Sequence, residues 1–465
     1  MTPFDIVLEH FRFPSYIVPH PIQVDVINDL APLNAGGYWL DMGTGKTFCS
    51  TVVALYHRIL YGHSIVVIMP PLLVKQWSTW LGSIQPALSI TEYNGTPKQR
   101  VAKSLDSDFV LVGSQIFKKD YARIDAHFQS KRYTVIIDEA AMVSNNQSDT
   151  HKKIYWFCVL QSKLLLTGTP ANNPLDLYGL LTFTAPGTYK HKTDFERRHV
   201  KYWTSYGKPT EYIDLDVLAT NLLINSKRVL FDEMYSETQE PLYSLINYEL
   251  EATHYKLYVR LAEEALIKLP ESGEVDFLTA QRLIHALGQI IVNLNHFNGH
   301  TATCSNAIEI VRGKLEELGS GKLVVFANYK KSVEALINAC SNYGALPINS
   351  EVSTAQKVNS IERFKTDASC RLLVVQYKSG GYGLDGLQHA CNHCLFIEPC
   401  QQPRDFHQAV ARLKRIGQSK RVLVYLAVAS KTLQVRGFKN LLHNDGVLNK
   451  VIRNSVDLRA AIFDN

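Results

Sequence analysis

WLDMGTGKTF, residues 39–48, has the glycine spacing and the Lys-Thr pair of the tail of a P-loop. In such a loop Gly43 and Gly45 let the backbone N–H groups of the turn, that of Thr44 among them, close around phosphate oxygens. Lys46 reaches the β- and γ-phosphates, and the Thr47 hydroxyl binds Mg²⁺. The first glycine of the longer pattern is missing, because Leu40 stands there. Many kinds of nucleotide-using protein share this loop, so the rest of the chain decides what the phosphate energy is used for.

At 465 residues the chain exceeds one ordinary core, and two domains plus an accessory region are expected. Hydrophobic residues make up 46% and charged residues 20%, as in a soluble globular protein. No apolar run is long enough to span a bilayer, and the N-terminus lacks a basic patch followed by an apolar stretch. The expected location is the cytoplasm, or a host cytoplasm if the gene is viral. The formal charge of +6 permits a polyanionic partner without requiring one. Its distribution says more: RLKRIGQSKR (412–421) packs five basic residues without one acid. The eight cysteines are scattered, as thiols of an intracellular chain rather than a disulfide frame. HACNHC (389–394) has C-x-x-C spacing but no second pair for a structural zinc, and reads as core thiols. His296, His300 and Cys304 cannot align on one helix, because Asn298-Gly299 breaks it.

Short apolar runs ending in polar or glycine turns recur in the first third: SIVVIMP (64–70), DFVLVGS (108–114), YTVIIDE (133–139) and KLLLTGT (163–169). Continuous rather than alternating apolar character predicts strands covered on both faces, as in a parallel sheet flanked by helices. Functional residues then belong at the strand C-terminal ends. From about 186 to 320 the chain is aromatic, charged and helix-like, with helical periodicity over 253–269. The apolar runs restart at KLVVFAN (322–328), RLLVVQY (371–377), CLFIEP (394–399) and RVLVYLAVA (421–429), predicting a second α/β domain without a phosphate loop.

VIIDEAA (135–141) is an apolar strand ending in two acids. Beside a P-loop, Asp138 can hold Mg²⁺, largely through water, and Glu139 can orient and deprotonate the attacking water. In LLLTGTPANNPLDLYGLLTF (164–183), Thr167 and Thr169 are small hydroxyls at a strand end, able to bond the acid pair and relay phosphate state. With this stretch the chain resembles the Swi/Snf-type translocases of helicase superfamily 2, whose third motif has the form L-T-G-T-P-x-x-N. Here it spans Leu166 to Pro170 with Asn173, and Asn145 and Ser148 match the continuation of the acid motif.

In the second block SGGYGLDGLQHA (379–390) resembles the family's fifth motif, a glycine-rich loop touching both DNA backbone and nucleotide. The resemblance assigns Ser379 and Gly380 to the backbone, and Gly383 and Asp385 to the nucleotide. HQAVARLKRIGQ (407–418) resembles the sixth motif, Q-x-x-x-R-x-x-R-I-G-Q. Arg412 and Arg415 are expected one helical turn apart on one face, neutralising charge on the transferred phosphoryl group, with Gln408 facing the same cleft. HPIQ (20–23) resembles the upstream glutamine motif, in which Gln23 reads the adenine edge. PPLLVKQW (70–77), GSQ (113–115) and VVFANY (324–329) resemble nucleic-acid-contacting segments, implicating Pro71, Gln76, Trp77, Ser114 and Asn328. The similarity runs from about residue 16 to 425, matching the middle only loosely.

The resemblance implies two RecA-like parallel-sheet lobes, 1–185 and 321–465, with a mainly helical insertion at 186–320. It implies an ATP- and Mg²⁺-dependent DNA helicase or translocase: a monomeric motor on forked or branched DNA, indifferent to sequence, with no membrane role. A lean motor of this kind suits bacterial or phage replication, recombination or repair. A double-strand translocase that displaces proteins, and a slowly hydrolysing ATP-switched clamp, are the alternatives. Ala141 stands where the family usually has a coupling histidine, which bears on the last of these. Tyr202, Trp203 and Tyr206 in KYWTSYGK (201–208) read as buried aromatics of the insertion in preference to a stacking wedge at a junction.

Overall fold

The computed structural model describes residues 1–205, 207, 209–235, 240–267, 285–293, 305–377, 386–400, 402–415 and 417–452. The expected sites at Ser379, Gly380, Gly383 and Asp385 lie outside them, as do Tyr206, His296, His300 and Cys304. Up to residue 446 the chain divides into two compact units, 1–236 and 237–446.

The first unit is built on seven parallel strands: β1 (Ala35–Leu40), β2 (Ser64–Met69), β3 (Ile90–Tyr93), β4 (Phe109–Gly113), β5 (Tyr133–Asp138), β6 (Ser162–Leu166) and β9 (Ser226–Val229). Their order is β3-β4-β2-β5-β6-β1-β9. A separate antiparallel hairpin, β7 (Val200–Trp203) and β8 (Pro209–Tyr212), belongs to neither sheet. The second unit carries six parallel strands: β10 (Leu242–Tyr248), β11 (Leu323–Ala327), β12 (Leu346–Ile348), β13 (Leu372–Gln376), β14 (His393–Phe396) and β15 (Leu423–Ala429). Their order is β10-β15-β14-β11-β13-β12.

The continuous apolar runs are continuous because both faces of each sheet are covered. Val66 and Ile68 of β2 enter one core, and Ile65, Val67 and Met69 enter the other. In β11, Val324 and Phe326 face one core while Leu323, Val325 and Ala327 face the opposite one. A half-exposed strand would alternate instead.

The expected boundaries near 185 and 320 need correction. β9 returns to pair with β1, with Gly37 opposite Ser226 and Leu40 opposite Val229. β10 pairs along its whole length with β15. The segment 186–320 thus gives an edge strand to each sheet, as well as helices such as Ala252–Ile267. An edge strand such as SKRV needs only one pairing partner, and so carries no long apolar run to mark it.

Candidate nucleotide-binding site

The strand order places β5, β6 and β1 side by side, with Asp138 opposite Leu166 and Leu166 opposite Tyr38. The three loops that leave their C-terminal ends therefore share one rim: residues 41–45, Asp138-Glu139 and Thr167–Thr169. They are in contact. A Cβ on Gly168 would lie 3.3 Å from the Leu40 carbonyl and 3.5 Å from Lys46 Nζ.

The glycine loop has the backbone that phosphate holding requires. Gly43 and Gly45 have φ of 83° and 86°, in the left-handed region open to glycine. Gly45 is doubly constrained, since a Cβ there would sit 2.3 Å from Gln23 Nε2. The helix Lys46–Tyr61 begins at Gly45 with no side chain capping it, and Thr47 lies in its first turn. An uncapped helix N-terminus reached through a glycine turn favours an anion. Lys46 Nζ donates to the carbonyls of Leu40 (2.8 Å) and Asp41 (2.9 Å), above the same loop. Buried Thr44 closes the turn by donating its hydroxyl to the Asp41 carbonyl at 2.6 Å.

Gln23 lies under the loop. Its Nε2 donates to the Thr44 carbonyl (2.9 Å), and its Oε1 accepts from the His20 N–H (2.9 Å). The side chain thus fastens the helix Pro21–Leu30 to the phosphate loop, with both ends of the amide engaged within the protein.

Asp138 and Glu139 are both buried. Asp138 Oδ2 accepts from Trp77 Nε1 at 2.8 Å, and its Oδ1 from the Glu139 N–H at 3.0 Å. Burial pushes the Asp138 carboxyl above the ordinary carboxylate range, while the Trp77 donor and the Lys46 charge pull it back. Glu139 adopts φ 63° and ψ 60°, a left-handed conformation uncommon outside glycine and characteristic of constrained sites. Thr167 Oγ1 lies 3.4 Å from Glu139 Oε1 and accepts from the Thr169 N–H at 3.2 Å. The Thr169 hydroxyl is buried without a hydrogen-bond partner. A buried carboxyl beside a lysine, a helix-start hydroxyl and an unsatisfied hydroxyl form a donor set that suits a hydrated hard cation carrying phosphate oxygens.

The structure corrects Trp77. Its ring is 1% exposed, inside the core, and offers no face to a nucleic acid. Its neighbours in the resemblance are differently placed. Pro71 and Gln76 are exposed, Ser114 is half-buried, and Pro71 packs on Gly113 at the neighbouring ends of β2 and β4.

One residue outside every motif also shapes the site. Arg228 on β9 donates to Asp41 Oδ1 (2.6 Å), to the Trp39 carbonyl (2.7 Å) and to the Gly168 carbonyl (3.2 Å). It ties the entrance of the phosphate loop to the Thr-Gly-Thr turn, and Asp41 Oδ2 also accepts from the Phe231 N–H at 3.1 Å. Nothing near 228 in the sequence signals this; only the pairing of β9 with β1 brings it there.

In the second unit the helix Pro403–Val410 stops before the two arginines, which lie on the turns that follow. The expectation that they share one helical face is therefore corrected. Arg412 is 5% exposed whereas Arg415 is half-buried, with its Nε donating to the Ala411 carbonyl at 3.1 Å. Gln408, on the helix, is buried. Asn328 follows β11, where its N–H donates to buried Glu398 at 2.6 Å and its carbonyl accepts from Gln376.

A model of the SNF2-related domain matches residues 36–299, more than half the chain, and one of the helicase conserved C-terminal domain matches 306–417. The chain belongs to the SNF2-related family. A Mycoplasma pneumoniae protein named an uncharacterized ATP-dependent helicase is 24% identical over 93% of this chain and 42% of its own. The human DNA annealing helicase and endonuclease ZRANB3 is 23% identical, over 84% and 36% respectively. This chain thus spans about two fifths of the length of such SNF2-related relatives. A solved Sulfolobus solfataricus SWI2/SNF2 ATPase core in complex with dsDNA is 19% identical, covering 96% of this chain and 99% of that one, with a TM-score of 0.44.

Proposed function

We propose that this SNF2-related chain is an ATP hydrolase that moves on DNA, and that it unwinds or branch-migrates forked or junction DNA in replication, recombination or repair. The observation that carries the reading is the meeting, on one rim, of an uncapped glycine loop with Lys46, an adjacent pair of buried acids, and a hydroxyl turn. Membership of a family whose relatives are named as helicases supports the use of that rim for ATP.

In this reading the N–H groups at the start of the helix Lys46–Tyr61 receive the phosphates, and Lys46 exchanges its two carbonyl partners for phosphate oxygens. Thr47 and Asp138 would hold Mg²⁺, which when bound neutralises charge on the phosphate oxygens. Trp77 keeps the Asp138 carboxylate oriented. Glu139 accepts the proton of the attacking water, and the Thr167 hydroxyl fixes its position. Arg412 and Arg415 act on the transferred phosphoryl group as arginine fingers, a role worth about 10³-fold or more in rate. Backbone contacts through Pro71, Gln76, Ser114 and Asn328 grip the strand without reading its sequence.

Glu139→Gln keeps the shape of the site and removes the base. ATP binding persists in that variant while DNA-stimulated hydrolysis is abolished; near-normal turnover refutes the assignment. Strand-separation assays on forks, four-way junctions and blunt duplexes then distinguish unwinding or branch migration from translocation along intact duplex.

A further inference from the structure

The hairpin β7–β8 holds two large aromatic rings in solvent. Tyr202 is 57% exposed and Trp203 is 44% exposed, against the buried insertion core expected of them. The hairpin pairs with neither sheet. Exposed apolar surface rimmed by polar residues marks interaction sites, and Tyr and Trp are enriched there. The surroundings specify the partner's charge. Between residues 190 and 211 there are six Lys or Arg against three Asp or Glu. Lys190, Arg197, Arg198 and Lys201 are exposed. Lys201 Nζ sits 5.1 Å from the Tyr202 ring centroid and 2.7 Å from Glu211, an ion pair that steadies the hairpin beneath the ring. Arg197 and Arg198 lie in the last turn of the helix Lys192–His199, which runs directly into β7.

We infer that the hairpin is a stacking platform for unpaired bases, with the basic end of the preceding helix holding the adjoining phosphates. Resting on the reading of the chain as a DNA motor, this names the part of a fork that the first unit engages. Inside a duplex the faces of the bases are covered by their neighbours, so exposed Tyr and Trp rings add affinity where a strand has left the helix. The arginines act on phosphate, which single and double strands share. Tyr202 and Trp203 therefore confer preference for a strand junction over continuous duplex.

The test is equilibrium binding of the full chain to a duplex with a single-stranded tail and to a blunt duplex, at one fixed salt concentration. Three forms are compared: wild type, Tyr202→Ala/Trp203→Ala and Tyr202→Phe/Trp203→Phe. Because both rings are exposed, all three are expected to melt at the same temperature. The alanine pair should lose roughly tenfold or more affinity for the tailed substrate. It should keep wild-type affinity for blunt duplex, and the phenylalanine pair should retain tail binding because a phenyl ring still stacks. Equal loss on both substrates, no loss on the tail, or a phenylalanine pair as weak as the alanine pair overturns the proposal. A wild type that binds neither DNA defeats the motor reading itself and the platform with it, which separates the two failures.

Discussion

The contact between Trp77 and Asp138 governs how easily the site takes up a cation. Burial pushes this carboxyl up, and its indole donor is the largest of the influences that pull it back. Trp77→Phe removes the donor and leaves the packing largely intact, so the carboxyl moves further up. The Mg²⁺ concentration for half-maximal ATPase then rises, and the rise grows as pH falls; Mg²⁺ curves that match wild type at every pH would sink this. Arg228 makes a second prediction. Arg228→Met leaves Asp41 without its strongest partner and lowers the unfolding free energy by about 3 kcal/mol. Denaturant titration of Arg228→Met, Asp41→Asn and the double variant should show the two effects coupled; simple additivity would show that the pair does not act as one. These two residues also mark what the sequence conveys at this scale. Lys46, Asp138 and Glu139, which the fold brings to one rim, stood out in the sequence because phosphate and water chemistry calls for these residue types. The aromatic type of Trp77 was equally visible, but type does not reveal burial, and a DNA-facing role was read where a core ring stands. Arg228 lies nearly two hundred residues from its partner, beyond any local pattern.

Strands buried on both faces, β1 excepted, were the readable ones. β2, β4, β5 and β6, with β11, β13, β14 and β15, lie within three residues of their expected positions, because a doubly covered strand must be apolar throughout. The edge strands β3, β9, β10 and β12 were not read, being short or mixed in character, and neither was β1, an interior strand whose Ala-Gly-Gly start carries no long apolar run. One junction between elements carries a measurable charge effect. Glu398, just after β14 and 1% exposed, accepts from the Asn328 and Tyr329 N–H groups and from Ser332 Oγ at the start of the helix Lys330–Ala339. Burial raises its carboxyl from an ordinary 4.5 to about 7, against the lowering effect of those donors. The folded protein therefore holds a proton that the unfolded chain releases between about 4.5 and 7. That contribution to stability is complete below the lower value and is lost as pH rises through the upper one. Glu398→Gln lacks this loss, so its melting temperature relative to wild type should climb from pH 5 to pH 8, by an equivalent of at most about 3 kcal/mol. Parallel melting profiles for the two proteins would contradict it.

For the whole molecule, the two-unit plan was legible from two blocks of apolar runs, whereas the division between them was not, because residues 186–320 lend strands to both sheets. Grip on phosphate has a signature at this scale. The logarithm of the DNA association constant should fall linearly with the logarithm of salt concentration, with a slope of roughly −3 or steeper, and similarly for unrelated DNA sequences. DNA-free ATPase should respond far less, and a salt-indifferent association would exclude backbone gripping. The return of β9 to the flank of β1 also bears on synthesis. While the ribosome is still making residues before 226, the strand that precedes the phosphate loop is an open, apolar sheet border. Nascent chains stalled in that interval should be the most prone to aggregate and the most dependent on chaperones, and competence to hold nucleotide should emerge only once Arg228 has cleared the exit tunnel.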